Sequence, residues 1–347
     1  MDILKLSKEL IATKSANACL KKCEKAIEAA NIEHFERSNV KGILASNRPS
    51  GTRKFKIILN GHLDIVAGKP NQFKPVIKGD KLYGRGATDM KAGVACLIDV
   101  FNEVQGKVNF PLALQLVTDE EVGGFNGTLA QVDAGVRADF VIAGESTDFD
   151  LVNRARGVLQ ARIDFTGKSA HGAYPARGNN AVLQATRFLA DLEKLYPLPK
   201  TDQYITTFNA AKIGTSNQTT NKIPSDAFLV LDIRYIAGDL DKFKANLNKI
   251  MPSKSKLTIL EEVPSVNTPL TNPYLKKLAS ATSRALGQPP TSRGALGASD
   301  LAHYQKVNVP GVEFGPIGSG AHGDTEYVEI SSLDNYASIL KDFLLSI

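Results

Sequence analysis

Five short stretches between His62 and His322 hold residues whose types could do metal chemistry. Asn60-Gly61-His62-Leu63-Asp64 follows the apolar run 55–59. Side chains two apart on an extended segment face the same way, so Asp64 could lie near His62. A carboxylate there would hold the second nitrogen of a metal-bound imidazole. Read alone, the pair is equally a loop histidine beside an unrelated acid. Gly84-Arg85-Gly86-Ala87-Thr88-Asp89-Met90-Lys91-Ala92-Gly93 puts Asp89 at the entrance to a helix over 92–104. On its own, Asp89 reads first as the N-cap of that helix. A dinucleotide loop is excluded, because the third glycine and the βαβ context are missing. Thr118-Asp119-Glu120-Glu121-Val122-Gly123-Gly124 closes an apolar strand with three consecutive acids, which repel one another unless a cation or water screens them. Glu145, in Ala143-Gly144-Glu145-Ser146-Thr147, again ends an apolar strand, and His322 lies in the glycine-rich Gly320-Ala321-His322-Gly323-Asp324. Each stretch is weak alone; jointly they gather the His and carboxylate donors that a zinc-type centre uses.

The elements that must position these residues alternate in type. The pattern predicts a helix over 15–30, a strand at 55–59, a helix over 92–104 and strands at 112–117 and 139–143. Strands alternating with helices imply an α/β layer with a mixed, largely parallel sheet flanked by helices. Such sheets build their sites at the carboxyl ends of the strands. The character changes near 155. Residues 158–165 alternate apolar and polar, as a half-exposed strand does. A helix over 179–194, strands near 204–213 and 226–235, a helix near 239–250 and a strand near 256–261 follow. That order is the signature of a small α+β, ferredoxin-like unit with one open sheet. After Pro264 come a helix over 272–286, a short strand at 311–314 and a helix over 331–345. The expected organisation is a discontinuous main domain, 1–154 and 263–347, with residues 155–262 inserted.

Composition narrows the class further. At 347 residues the chain has room for about two domains. Its net charge of +6 comes from scattered, mixed charges such as Lys21-Lys22-Cys23-Glu24-Lys25, with no aromatic-interleaved basic stripe, so nucleic acid is not an expected partner. Three cysteines are too few for a disulfide framework, and reduced thiols are expected. The amphipathic N-terminal segment, with Ile3, Leu4, Leu6 and Leu10 at near-helical spacing, lacks the apolar core of a signal peptide. No run approaches the ~18 apolar residues of a membrane span. A cytoplasmic protein without membrane partners is expected.

The stretches GHLD, GRGATDMKAG, TDEEVGG, GES, GKSAHGAYP, GASD and AHGDTEYV occur in an order that resembles the M20 metallopeptidases. Within them the resemblance is to the group of acetylornithine deacetylases and succinyl-diaminopimelate desuccinylases, and it spans nearly the whole chain. It implies a catalytic domain binding two Zn2+, with Co2+ or Mn2+ as substitutes, and an inserted lid domain through which a homodimer forms. It further implies that His62 and Glu145 serve one zinc, His322 and Glu121 the other, and that Asp89 bridges them. Glu120 would be the general base and Asp64 the acid that orients His62. His171 would reach across from a partner subunit to the oxyanion. Arg234, Asn221 and Ser299 would contact a small N-acyl amino acid. The resemblance implies cleavage of the linear amide of that substrate. A dipeptidase or carboxypeptidase is the alternative, and a metal-binding protein without catalysis is the alternative of another class. Glu at position 145, rather than Asp or His, favours deacylases and carboxypeptidases. His34 and His303 belong to none of these motifs and are expected to be ordinary structural histidines.

Overall fold

The computed structural model describes residues 1–28 and 30–347. The chain separates into two compact units. One comprises Met1–Arg154, Val266–Arg293 and Ser299–Ile347; the other comprises Ala155–Ser265 and Gly294–Ala298. The five residues Gly294–Ala298 lie beyond the end of the expected insertion, yet they pack with the second unit. The Arg156 N–H donates to the Ala295 carbonyl, and the Arg156 guanidinium to that of Leu296 at 2.8 Å.

The first unit is built on a nine-stranded mixed sheet. Its order runs Asn31–Arg37, Val40–Ser46, Leu112–Val117, Lys54–His62, Arg137–Ala143, Gly311–Glu313, Leu151–Ala155 and Val266–Asn267, and Ser292–Ala295 pairs with Leu151–Ala155. The four central strands, Leu112–Val117 through Gly311–Glu313, are parallel, and the edges are antiparallel. Every residue of Leu112–Val117 is buried, as are Ile57, Ile58 and Leu59. Such uninterrupted apolar strands belong in a sheet covered on both faces. The helix Ala92–Val104 is buried along nearly its whole length. It joins Ile3–Ile11 and Ile330–Leu345 in one core with the sheet. Gly93, in its first turn, permits this approach: a Cβ there would stand 2.4 Å from the Gly144 carbonyl oxygen.

Most expected elements form within a residue or two of their expected ends; the helix expected over 15–30 ends sooner, running Ala16–Ala26, and position 29 lies outside the described residues. Besides short elements such as Leu151–Ala155, Thr128–Asp133 and Leu301–Gln305, two larger features are additional. A hairpin, Asn31–Arg37 with Val40–Ser46, turns on Ser38 and Asn39, both at positive φ (51° and 67°), the geometry of a tight primed turn. A small antiparallel sheet joins Gly318–Ser319, Tyr327–Glu329, Lys81–Tyr83 and Val76–Lys78, pairing Tyr327 with Tyr83.

The second unit is a four-stranded antiparallel sheet in the order Thr207–Gly214, Asp226–Tyr235, Gly157–Thr166, Lys256–Val263. With helices Ala181–Leu195 and Leu240–Ile250 it has the ferredoxin-like topology. Alternate residues of Asp226–Tyr235 are buried against those helices, which accounts for the period-two pattern of its sequence. The three cysteines are free and buried, and no helix among the described residues is long and apolar enough to cross a membrane.

Candidate metal centre

The parallel register brings the strand ends into line. His62 is paired with Val117, the last residue before the Thr118–Glu121 segment, and Asn60 with Ala143, two residues before Glu145. The Gly144 N–H donates to the Asn60 carbonyl and the Ser146 hydroxyl to the Thr88 carbonyl, so the Glu145 turn is tied to both neighbouring segments. Asp89 does not cap the helix behind it. The N-cap position falls on Lys91, and Asp89 has an extended backbone that turns its carboxylate away from the helix amides.

That carboxylate faces both histidines. Oδ1 of Asp89 is 3.0 Å from Nε2 of His62, and Oδ2 is 3.0 Å from Nε2 of His322. Glu145 Oε1 is 3.4 Å from the same His62 nitrogen, and Glu121 Oε2 is 3.0 Å from the same His322 nitrogen. The result is two triads, His62–Asp89–Glu145 and Asp89–Glu121–His322, sharing Asp89. Donor atoms placed 2.0–2.1 Å from a tetrahedral ion lie about 3.3 Å from one another. The observed separations therefore suit a small divalent cation in each triad, and the N/O donor set suits zinc.

Asp64 serves two neighbours at once. Its backbone carbonyl is 3.2 Å from Nδ1 of His62 and its Oδ1 3.5 Å from the same nitrogen, and its two carboxylate oxygens accept the N–H groups of Glu120 (3.2 Å) and Glu121 (2.9 Å). One residue thus sets the imidazole, through carbonyl and carboxylate, and the start of the acidic turn, through the carboxylate. The remaining oxygen of Glu121 accepts the Val66 N–H, leaving Oε2 directed at His322. His322 itself adopts φ 64°, a left-handed conformation that a side chain pays for by about 1–2 kcal/mol.

The electrostatics follow from burial and crowding. Burial alone would lower the His62 imidazole, but the Glu145 charge and hydrogen bonds to Asp64 and Asp89 hold it well above its ordinary value. Burial opposes the charge on Asp89, yet the two imidazoles keep its carboxyl below the usual range. Burial pushes Glu120 well above the carboxylate range, reinforced by Asp300, Glu145 and Asp89. Glu121 and Glu145 are raised by burial and by Asp89. Carboxylates so crowded lower their energy with positive charge between them.

Several contributors carried no signal readable in advance. Arg85 and Glu326 form a buried ion pair, Nη1 to Oε2 at 2.7 Å. Arg85 Nη2 also donates to the carbonyls of His322 (3.1 Å) and Gly323 (3.0 Å), while Glu326 Oε1 accepts the N–H groups of Thr88 (3.1 Å) and Asp89 (3.3 Å). This pair binds the Asp89 loop to the His322 loop. Both residues sit inside the motifs quoted above, Arg85 four positions before Asp89 and Glu326 four after His322, and their opposite charges were the hint available. Asp119, the first of the three acids, is buried and accepts the N–H groups of Asn126 and Gly127.

Other expected residues stand elsewhere. Ser299 is buried and accepts the Leu301 N–H at the start of a short helix. His171, Asn221 and Arg234 belong to the second unit. His171 is exposed, with Nδ1 accepting the Ala173 N–H at 3.1 Å, and the Asn221 carbonyl accepts the Gly172 N–H. Arg234 grips its strand neighbour Asp232 with two bonds, of 2.7 and 3.0 Å.

A mixed α/β sheet with two histidine–carboxylate triads sharing Asp89, gathered from its strand ends and adjoining loops, has the donor arrangement of a metal-dependent enzyme. Residues 58–346 match the peptidase family M20/M25/M40, and the chain belongs to that family. It is 31% identical over 324 residues to a succinyl-diaminopimelate desuccinylase of Rickettsia bellii, covering 85% of this chain and 82% of that protein. Among solved structures it is similar to the aminopeptidase PepT of Bacillus cereus, with a TM-score of 0.79 at 18% identity, covering 99% of this chain and 97% of the other. A dinuclear-metal-binding M20 peptidase of Bacillus subtilis superposes with a TM-score of 0.72 at 14% identity, covering 99% and 96% of the two chains.

Proposed function

We propose that this chain is a two-zinc amide hydrolase that releases a free amine and a carboxylate from a small N-acyl amino acid, with N-succinyl-diaminopimelate as the first substrate and N-acetylornithine as the second. The observation that carries it is the shared Asp89, whose two oxygens each lie 3.0 Å from a different histidine. In this reading His62, Asp89, Glu121, Glu145 and His322 are the ligands, and Co2+ or Mn2+ can stand in for zinc. The bound ions supply Lewis acidity, acidifying water and polarising the scissile carbonyl.

The chain's own residues do the rest. Glu120 takes the proton of the attacking water and delivers it to the departing nitrogen as the carbon–nitrogen bond breaks. Asp64 keeps His62 oriented and the Glu120 turn in place. His171, acting from a partner subunit, donates to the oxyanion. Ser299 and Asn221 contact the substrate, and Arg234 binds its carboxylate by exchanging Asp232 for it. The second unit is the lid and the dimer contact, and the enzyme works in the cytoplasm. The desuccinylase relative supports the acyl group.

The test is a rate comparison on N-succinyl-diaminopimelate, N-acetylornithine, N-acetyl-lysine and simple dipeptides, with metal analysis of the same preparation. Two zincs per chain and the highest kcat/KM on the succinyl substrate are expected; fastest turnover of dipeptides would overturn the substrate. Glu120→Ala is expected to abolish turnover and keep both metals. Loss of metal in that variant would contradict its role as base.

A further inference from the structure

Beneath the turn that carries Glu120 lies a buried pair that the reaction described above does not use. Asp300 and His303 stand three apart at the start of the helix Leu301–Gln305, on one face, and both are buried. His303 Nε2 is 2.8 Å from the Gly123 carbonyl oxygen. A carbonyl only accepts, so Nε2 carries the hydrogen and donates it. The other ring nitrogen is buried and has no hydrogen-bond partner, so the imidazole holds this one point, with the Phe125 ring edge-on to it at 5.6 Å.

Gly123 is the residue that closes the turn. Its N–H donates to the Glu120 carbonyl at 2.8 Å, and Gly124 N–H donates to that of Asp119 at 2.7 Å. Both glycines are left-handed, at φ 101° and 65°. A Cβ on Gly124 would stand 2.1 Å from Asp300 Oδ1 and 2.9 Å from His303 Nε2, so the turn is seated directly on the pair. The other oxygen of Asp300 accepts the Thr128 hydroxyl at 2.6 Å and pins the segment beyond. At the opposite end, Asp64 accepts the N–H groups of Glu120 and Glu121. Glu120 therefore sits on a single turn anchored by Asp64 where it begins and by His303 where it closes.

We propose that His303 is a positioning residue for Glu120: by holding the Gly123 carbonyl, its Nε2–H fixes the turn from which the base reaches water. The inference rests on reading Glu120 as the base. Small displacements of a reacting group cost rate far more than they cost binding. His303 thus acts on kcat through the turn that carries Glu120; the Glu121 carboxylate on the same turn has an anchor of its own, Oε1 accepting the Val66 N–H.

The experiment is a set of variants of the zinc-loaded enzyme, assayed with N-succinyl-diaminopimelate. His303→Phe keeps the ring and its packing on Phe125 and removes the donor. It is expected to fold, to keep two metals and the wild-type KM, and to lose about ten- to a hundredfold in kcat. His303→Gln, whose amide reaches the same carbonyl, is expected to recover most of that loss. Wild-type kcat in His303→Phe, a loss seen in KM or metal content instead, or a His303→Gln as slow as His303→Phe would each overturn the proposal. Should His303→Phe fail to fold, His303→Asn, which fits the space and stops short of the carbonyl, takes its place with the same expected split. Glu120→Ala is run beside them. Turnover surviving in that variant overturns the base assignment itself, whereas a dead Glu120→Ala beside a fully active His303→Phe overturns only the role of His303.

Discussion

Replacing Glu326 by alanine probes the buried ion pair that ties the Asp89 loop to the His322 loop. The change leaves the Arg85 guanidinium buried without its carboxylate, and it orphans the N–H groups of Thr88 and Asp89. Breaking one side of a buried ion pair costs about 3–5 kcal/mol. Each buried N–H left unmade costs ~1–3 kcal/mol. The terms overlap, because relaxation that rescues one also relieves the other, so a loss of ~3–5 kcal/mol in the metal-free protein is the working figure. The same change frees Asp89 and His322 to move independently, and outer contacts of this kind set metal affinity by about 10–100-fold. Urea unfolding with chelator present reads the first effect, and competition with a chromophoric chelator reads the second. Glu326→Gln keeps an acceptor for the two N–H groups and removes only the charge, so it should unfold later than the alanine variant and still bind zinc more weakly than wild type. An alanine variant within ~1 kcal/mol of wild type and with unchanged zinc affinity would refute the reasoning.

Two further outcomes are expected. Asp64→Asn should weaken zinc binding about 10–100-fold and lower kcat together, because Asp64 serves both His62 and the Glu120 turn; an effect on only one of the two, measured by chelator competition and steady-state rates, would separate those roles. Asp99 is buried, which raises its carboxyl, but Lys341 and the Met1 ammonium, each at 2.8 Å, together outweigh burial by hydrogen bonding and charge and hold it below the usual range. A folded pKa depressed in this way contributes stability above the unfolded value of about 3.9 that is lost as pH falls through the folded one. Asp99→Asn should therefore be less stable than wild type at pH 6, with the gap closing below pH 4 in urea titrations of the metal-free protein. A gap constant from pH 3 to 6 would rule this out.

The sequence revealed those parts of the structure whose causes are local. Ala92–Val104 and Leu112–Val117 were readable because their apolar runs are long and their burial nearly complete. Asn31–Arg37 was not: it is an edge strand, NIEHFER, mostly polar and half-exposed, and only the Ser38-Asn39 turn marked it. The short strands Lys81–Tyr83 and Tyr327–Glu329 exist because they pair with each other, a fact absent from either segment alone. For Asp89, local chemistry pointed to a helix cap, and the tertiary context sent its carboxylate to two distant histidines. For His303, nothing nearby in sequence marks it, since the carbonyl it holds is 180 positions away. Arg234 shows the opposite case: its guanidinium suggested a carboxylate partner, and the carboxylate it holds is that of Asp232, two residues earlier.

The shared Asp89 also gives the two halves of the metal centre different birthdays. His62, Asp89 and Glu145 all precede the second unit in sequence, whereas His322 follows it. A chain emerging from the ribosome and folding as it appears could assemble the first triad on strands Lys54–His62 and Arg137–Ala143 while the second still lacks its histidine. The Arg85–Glu326 clasp closes only after a contact across 241 positions has formed, a long-range closure that comes late. Under the proposed ligand assignment, every donor of the first triad is synthesised before the second unit begins, and the last donor of the second only after it ends.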